Sequence, residues 1–522
     1  RLDAERLRVQ TRRGEEPQRL DGLLLAGGRR YGLRAERIDA APLIAVAALS
    51  DRLPAGLRRW LSASRPQAVL ERIEVAGLRP PTPATAAPAP AAAVAVAAID
   101  QAAAQGDDPG DAPGDDTPPV PDTPDTPSTS THAFADGALR IGADIRALGF
   151  DSVGGTPGIT GLAGHLSGDG NSLVFAFDPQ SRARFDWPTG FRVPHPLRLG
   201  GEVVARREAQ GWRVETPALR IAGEGYGADA RGGLWFEGDG SRPQIDVALD
   251  LDDARAVEAE KFWPKSAMSQ SLIDWLDTAI DTGWVRDGRV VIRGDLDDWP
   301  FIATGGAPPP GVFDARATLE EMRVRFHSEW PDATDMDARI AFFDNGFEVA
   351  GSARLGEVRI GEFVAGIDNF REGALRIDAS GEDDAKRMLA LLRQSPLQGD
   401  YGKAMASLQI QGPATAAVAL RLGLHDRDDA RKRVAGSVQL RGVRLADTEW
   451  NLAFNGVTGT VRYDQNGFTA DGLQAQYDRQ QGRLSLRAGT GHVRDPAQGF
   501  EAELEATMSA EDLLARVPDL DL

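Results

Sequence analysis

The sequence predicts a mainly β protein built from antiparallel strands, with only a few short helices. Large apolar residues alternate with small, polar or charged ones in many runs, such as residues 418–424, and a period of two is typical of strands with one apolar face. Turn-forming residues separate these runs, as in Asp169-Gly-Asn and Gln465-Asn-Gly, which favours hairpins and meanders. The 58 glycines and 33 prolines punctuate strands more than helices.

Composition excludes several classes of function. The formal net charge of −19 argues against a nucleic-acid partner, since binding phosphates needs basic patches. The absence of cysteine excludes disulfides, thiolate zinc sites and a cysteine nucleophile. No apolar run reaches the roughly 18 residues that a membrane span needs. The chain starts at Arg1 without a signal peptide, so we expect a piece of a longer protein whose targeting segment is not seen.

The first segment, residues 1–79, mixes strands and helices. Residues 23–33 predict a hairpin, and a helical pattern follows over residues 43–63, which Pro54 is expected to break into two helices. Residues 73–78 return to a strand pattern.

Residues 80–132 differ in kind. They consist almost entirely of Pro, Ala, Asp, Gly, Thr and Ser. Such a composition cannot bury enough apolar surface to offset the entropy of ordering the chain. We therefore expect a disordered linker or loop.

From residue 133 onward the dominant period is two. The alternating runs include residues 173–177, 245–251, 322–326, 375–379, 418–424 and 484–487, and Asp287-Gly288 is one of the predicted turns between strands. Helical spacing predicts three helices, over residues 266–282 with Gly283 as C-cap, over residues 383–394, and over residues 510–516. These helices are too few and too short to cover so extensive a sheet.

An antiparallel sheet with one apolar face must have that face covered. A second sheet, closure into a barrel, helices or a bound ligand can do so. Two architectures therefore stay open. Self-packed sandwiches or a solenoid would bury the face internally, whereas an open groove would hold apolar molecules. Periodicity does not choose between them.

No catalytic site can be identified. The histidines occur singly, without the spacing of metal ligands, at His132, His165, His195, His327, His425 and His492. The sequence has no nucleophile elbow and no phosphate-binding loop. Residues 223–227 (Gly-Glu-Gly-Tyr-Gly) and the acidic residues 295–298 are interpreted as turns. The chain is therefore predicted not to be an enzyme, and no cofactor is expected.

Trp-Pro occurs four times, at Trp187, Trp263, Trp299 and Trp330. Proline cannot donate to a sheet ladder, so these pairs are expected at strand ends where an aromatic ring closes the core.

The surroundings of these pairs resemble YhdP-type proteins of the AsmA-like group in Gram-negative bacteria. Phe-Trp-Pro at 262–264 is followed by a helix ending in Trp-Leu-Asp at 275–277, and by the segment Arg-Gly-Asp-Leu-Asp-Asp-Trp-Pro-Phe at 293–301. Glu-Trp-Pro at 329–331 and residues 458–464 also resemble the family. The likeness is most specific over residues 262–347, extends from 133 to the end, and is weak before the linker.

The resemblance implies an elongated, twisted antiparallel sheet that forms an open, repeating β-groove. Its groove segments would be residues 133–260 and 302–522, with a helix-containing insertion at 261–301. It also implies a periplasmic protein, anchored to the inner membrane by a segment outside this chain, that moves phospholipid between the inner and outer membranes.

The inward positions of the alternating strands would contact lipid, and other envelope proteins would be further partners. The candidate groove-lining residues are Ile245, Val247, Leu249, Leu251, Leu375, Ile377, Val418, Leu420, Leu422 and Leu424. The alternative is a structural or interaction β-protein of the envelope, in which the same residues pack between sheets.

Overall fold

Antiparallel strands make up most of the secondary structure. The computed structural model describes residues 1–9, 18–28, 30–50, 55–78, 139–191, 193–209, 211–237, 241–263, 268–302, 307–343, 345–369, 374–395, 406–423, 433–448, 452–477 and 480–507. The predicted linker at 80–132 and the predicted helix at 510–516 lie outside these ranges.

The chain divides into two compact units. The first comprises Arg1–Glu224, Ala228–Ala248 and Arg293–Trp299, and the second comprises Gly225–Gly227, Leu249–Ile292 and Pro300–Leu522. The elements wholly within the first unit that precede residue 225 are β1 (Leu2–Val9), β2 (Gln18–Ala26), β3 (Arg30–Asp39), α1 (Ala41–Ala47), α2 (Ala55–Ser64), β4 (Gln67–Leu78), β5 (Arg140–Phe150), β6 (Gly158–Gly168), β7 (Ser172–Phe177), β8 (Ala183–Asp186), β9 (His195–Glu208) and β10 (Gly211–Gly223).

Strands β1 to β6 pair antiparallel in chain order. Strand β6 then pairs with both β7 and β8, and each of these pairs with β9. The short strands β7 and β8 thus share one strand position, and β9 continues the ladder to β10. The apolar cluster of this ladder includes Leu20, Ala35, Ile38 and Ile73.

The remaining elements follow in chain order. They are β11 (Gly227–Phe236), β12 (Gln244–Leu251), β13 (Ala254–Arg255), a 3-10 helix (Ala256–Phe262), α3 (Gln270–Ala279), β14 (Ile280–Asp295), a 3-10 helix (Leu296–Asp298), β15 (Val312–Val324), β16 (Ala333–Phe343), β17 (Gly346–Leu355), β18 (Val358–Ile367), β19 (Ala374–Asp384), α4 (Ala385–Arg393), β20 (Leu408–Gln411), β21 (Pro413–Gly423), β22 (Arg433–Asp447), β23 (Leu452–Asp464), β24 (Gly467–Tyr477), β25 (Gln480–Gly489) and β26 (Phe500–Ala506). Strands β11, β12 and β14 have residues in both units.

In the second unit, β15 to β19 pair antiparallel in chain order. The chain then leaves the sheet to form α4, and β19 pairs with β21 instead of β20. Strands β20 and β21 both pair with β22, at successive positions along it. From β22 the ladder continues in order to β26. Helix α4 therefore lies in the connection between β19 and β20.

The predicted fold class is confirmed: the protein is mainly β, its sheet is antiparallel, and its helices are few and short. The predicted hairpin at 23–33 is the β2–β3 pair, with Leu25 opposite Leu33. The helical pattern at 43–63 is divided into α1 and α2, and the helix predicted at 383–394 is α4. Among the described residues, no helix is long and apolar enough to cross a membrane.

Two local predictions around β14 are wrong. The predicted helix 266–282 ends at Ala279, and Ile280 is already extended, so Gly283 is no C-cap. It lies within β14 at a φ of 128°, where a side chain would collide with Met322. Asp287-Gly288 is no turn between strands either. Asp287 takes a left-handed φ of 51° inside the 16-residue strand, which places a local irregularity there while the strand continues.

The Trp-Pro prediction holds only in part. Trp187 directly follows β8, and its indole N–H donates to the Gly155 carbonyl at 2.8 Å. Trp330 packs against the apolar cluster around Leu420. Trp299, however, follows a 3-10 turn and is 37% exposed, whereas Phe301 two residues later is completely buried. At this pair the core is closed by the phenylalanine after the proline.

Candidate functional site

Five of the predicted groove-lining residues come together on adjacent strands of the second unit. Leu375 lies opposite Leu422, Ile377 opposite Leu420, and Ala379 opposite Val418. Because side chains on a strand alternate between faces, these cross-strand partners share one face of the sheet. We call Leu375, Ile377, Val418, Leu420 and Leu422 the β19–β21 apolar face.

The opposite face of these strands carries charged side chains and is exposed to solvent. Arg376 alternates with the apolar residues of β19, and its guanidinium lies 3.7 Å from the Asp378 carboxylate and 3.6 Å from that of Asp368. On β21, Ala419 and Arg421 are exposed. The alternation in the sequence therefore separates an apolar face from a polar one.

The members of the apolar face differ in burial. Leu375 is 4% exposed and Leu420 is 9% exposed, while Ile377, Val418 and Leu422 are half-buried. Leu420 packs with Val434, in a cluster that Trp330, Leu392 and Tyr463 complete. Sequence reasoning missed these three flanking residues as part of the site. Two sequence features could have identified two of them: the Trp-Pro pair marks Trp330, and the helical spacing between Met388 and Leu392 places Leu392 on the inner side of α4.

Tyr463 brings a phenol into this apolar cluster. Burial raises the pKa of its hydroxyl to about 12, so the group stays neutral at physiological pH. The ring occupies the space above Gly436, where any side chain would collide with it. The cluster therefore presents no charge from this position.

Helix α4 covers part of the apolar face of the second unit. Ala385, Met388 and Leu389 are buried on its inner side. Met388 belongs to the same cluster as Val358 on β18, and Leu408 packs against that cluster from β20. This part of the face is covered by the protein itself.

Hydrogen bonds hold α4 at both ends. The Asp384 carboxylate accepts from the backbone N–H of Lys386 at 2.8 Å and from that of Gly412 at 3.2 Å. The first bond caps the helix and the second ties it to the chain just before β21. At the other end, the Arg393 guanidinium donates to the Leu408 carbonyl at 2.8 Å.

Beyond α4 the apolar face becomes a closed core. Val443 and Val457 are 0% exposed, and Leu473 and Leu484 are 1% exposed. All four belong to one cluster with Met388 of α4. Side chains packed to this degree leave no space for an acyl chain.

The predicted positions on β12 are more accessible. Ile245, Val247 and Leu249 are half-buried, and Leu251 is 38% exposed. The intervening Asp246 and Asp250 point to the polar side, where they pair with Arg293 at 2.8 Å and Arg289 at 3.4 Å, respectively. Leu424, the remaining predicted position, lies outside the described residues.

The polar residues considered as candidate ligands have local structural partners. His165 lies 2.8 Å from the Asp144 carboxylate, and His492 lies 3.1 Å from that of Asp464. Asp295 caps its own turn by accepting from the Asp297 N–H at 2.9 Å. Within the described ranges, no three His, Asp or Glu side chains are grouped so that they could hold a metal ion.

Comparison with known proteins identifies the family. A family model described as YhdP protein matches residues 126–520. The intermembrane phospholipid transporter YhdP of Escherichia coli (strain K12) is 22% identical over 328 residues, which are 62% of this chain and 25% of that protein. The chain thus spans about a quarter of the length of that relative. No solved structure matches it. Because the family model covers most of its residues, this chain belongs to the YhdP family.

Proposed function

We propose that this chain is a section of a phospholipid conduit that lies in the periplasm and connects the inner and outer membranes. The observation that carries the proposal is a one-sided sheet whose apolar residues remain partly accessible, in a chain of the YhdP family. A named relative that transports phospholipid between membranes supports the same reading. Attachment to the inner membrane would come from a part of the protein outside this chain.

Acyl chains would lie on the half-buried positions of the apolar faces. On β12 these are Ile245, Val247, Leu249 and Leu251, and on β19 and β21 they include Ile377, Val418 and Leu422. Burial of one CH₂ group contributes about 0.8 kcal/mol, so an acyl chain of a dozen or more carbons would gain on the order of 10 kcal/mol. Relative to water, this gain offsets the similar cost of taking the acyl chain out of a bilayer, so the lipid needs no specific contact to its headgroup and the function requires no catalytic residue.

Smoothness of the path is the second requirement. The lining consists of Leu, Ile and Val side chains without a charged member. A lipid held at either set would therefore make similar contacts with aliphatic side chains and meet no charged group. Other envelope proteins would act at the ends of the path, outside this chain.

The test is photocrosslinking to lipid in the purified chain. A photoreactive amino acid at Leu422 or Val247 should capture phospholipid, whereas the same probe at the neighbouring outward position Arg421 should not. Mass spectrometry of an organic extract identifies the lipid. If the inward and outward probes capture equally little lipid, the conduit proposal fails.

A structural or interaction role is the second candidate, and one observation favours it. The cluster around Val443 and Leu473 is sealed, with side chains 0–1% exposed. If the face on β19 and β21 is equally inaccessible in solution, a probe at Leu422 stays unlabelled while the protein remains folded. Lipid capture at Val247 alone would then confine the lipid-binding region to β12.

A further inference from the structure

Helix α1 has an unusual composition for a helix that faces water. The helix and the two residues after it, 41–49 together, are Ala, Pro, Leu, Ile, Ala, Val, Ala, Ala and Leu, with no polar side chain among them. One side packs inward through Pro42 and Ala48. The other side presents Leu43 at 45%, Val46 at 62% and Leu49 at 82% exposure. A helix that is apolar all round normally lies in a protein core or in a membrane.

This surface is held firmly against the sheet. Trp60 of α2 is 2% exposed and packs edge-on against Phe150 at the end of β5, with ring centroids 5.4 Å apart. The Asp151 N–H donates to the Ser64 carbonyl at 2.7 Å, and the N–H of Ala40, just before α1, donates to the Ala68 carbonyl at 2.8 Å. Leu43 and Val46 therefore lie on a helix whose start is hydrogen-bonded to the strand β4 that follows α2.

The charge on these helices themselves is positive, although an acidic residue lies at each end: Asp39 accepts from the Ala41 N–H at the start of α1, and Asp151 pairs with Arg65 after α2. The described residues 40–50 and 55–66 contain no Asp or Glu, and their charged members are Arg58, Arg59 and Arg65. Arg65 pairs with Asp151 at 2.5 Å, whereas Arg59 is exposed on α2. The formal net charge of the full chain is −19, but charges farther away than about 8 Å are largely screened at physiological salt.

We propose that α1 and α2 form a surface that binds the headgroup region of an anionic phospholipid bilayer. Leu43, Val46 and Leu49 would enter the boundary between headgroups and acyl chains, and Arg59 would face lipid phosphates. The inference does not depend on lipid transport, since a chain that carries no lipid could still bind a bilayer. Three exposed side chains are too few for a stable protein interface, which buries about 1,200 Å² or more. For this reason we favour a bilayer over a second copy of the chain.

Flotation of the full chain with vesicles tests the proposal. Vesicles of phosphatidylcholine with phosphatidylglycerol should bind the wild-type chain with a constant on the order of 10³ M⁻¹, below that of a single myristoyl chain. The double variant Val46→Asp/Leu49→Asp should bind at least tenfold more weakly. Its melting temperature should not change, because both side chains are largely exposed.

The control carries the same substitutions at exposed apolar positions elsewhere, Val312→Asp/Leu504→Asp, whose side chains are 48% and 39% exposed. It should bind like the wild type. Arg59→Glu should abolish the preference for phosphatidylglycerol over pure phosphatidylcholine. The proposal is overturned if the wild type binds neither kind of vesicle, or if the α1 variant and the control weaken binding equally. A change in sedimentation mass in the α1 variant would assign the surface to self-association instead.

Discussion

At the scale of single residues, side chains that the alternating sequence pattern places on the same face of a strand differ in how deeply they are buried. Leu420 and Leu422 are both inward on β21, yet Leu420 is 9% exposed and packs with Val434, while Leu422 is half-buried. The first has a structural role whatever the function. The second packs against the same cluster but remains partly exposed to solvent.

We expect Leu420→Asp to lower the free energy of unfolding by roughly 3 kcal/mol or more, because a carboxylate would be placed among apolar side chains. Leu422→Asp should cost about 1 kcal/mol, since its carboxylate can reach water. Urea denaturation, followed by the fluorescence of tryptophans such as Trp330 near this cluster, measures both. Equal losses would mean that the two positions are equally sealed, which would contradict an accessible face at Leu422. If only Leu420→Asp destabilises, Leu422→Asp becomes a folded variant for testing lipid capture.

At the scale of elements, α4 determines where the apolar face of the second unit is covered. The carboxylate of Asp383, which directly precedes the capping residue Asp384, helps to hold the start of α4. Burial by itself would raise the pKa of Asp383, but the N–H groups of Asp384 and Arg359 and the Arg387 guanidinium donate to the carboxylate and lower it below its ordinary value. The ionised form is thus preferred in the folded state.

A lowered folded-state pKa implies a stabilisation that is present above the ordinary value near 3.8 and is lost as the pH falls through the lower folded value. We therefore expect the start of α4 to lose protection from amide exchange in this acidic range, after correction for intrinsic exchange rates. Asp383→Asn should show less protection at neutral pH and no further loss on acidification. Asp335→Asn is the control, because the Asp335 side chain is 77% exposed, and it should retain the wild-type profile at α4. Identical profiles for both variants would remove Asp383 from this role.

At the scale of the whole molecule, the ladder of the first unit continues across the long Pro- and Ala-rich segment. Strands β4 and β5 pair directly on its two sides, with Ala76 opposite Arg140 and Leu70 opposite Ile145. The pairing therefore requires only that the intervening chain close a loop.

Replacing residues 80–132 with a Gly-Ser linker of about eight residues should raise the free energy of unfolding of the first unit by about 1 kcal/mol, because a shorter loop costs less entropy to close. The matched control is a Gly-Ser segment of the original length, which should leave stability unchanged. Both are measured by thermal melting. A loss of stability in both variants would show that the native segment makes stabilising contacts.

Local patterns allowed much of the fold to be predicted. The period of two identified strands such as β12 and β21, and helical spacing located α4 to within two residues. The errors occurred where a residue type has more than one structural use. Gly283 was expected to cap a helix, yet it serves as a point of close approach to Met322 inside a strand. The two uses look alike in a sequence because both require a missing side chain.

The sequence by itself determined which residues share a face, because strand geometry sends successive side chains to opposite sides whatever surrounds them. It also determined the absence of thiol chemistry, since the chain has no cysteine. Only the tertiary structure decided which parts of the apolar face are sealed. Val443 and Leu473 pack in one cluster with Met388 of α4, while Leu251 remains 38% exposed. Burial depends on tertiary contacts between elements that are far apart in the sequence. The local period of a strand contains no information about those contacts.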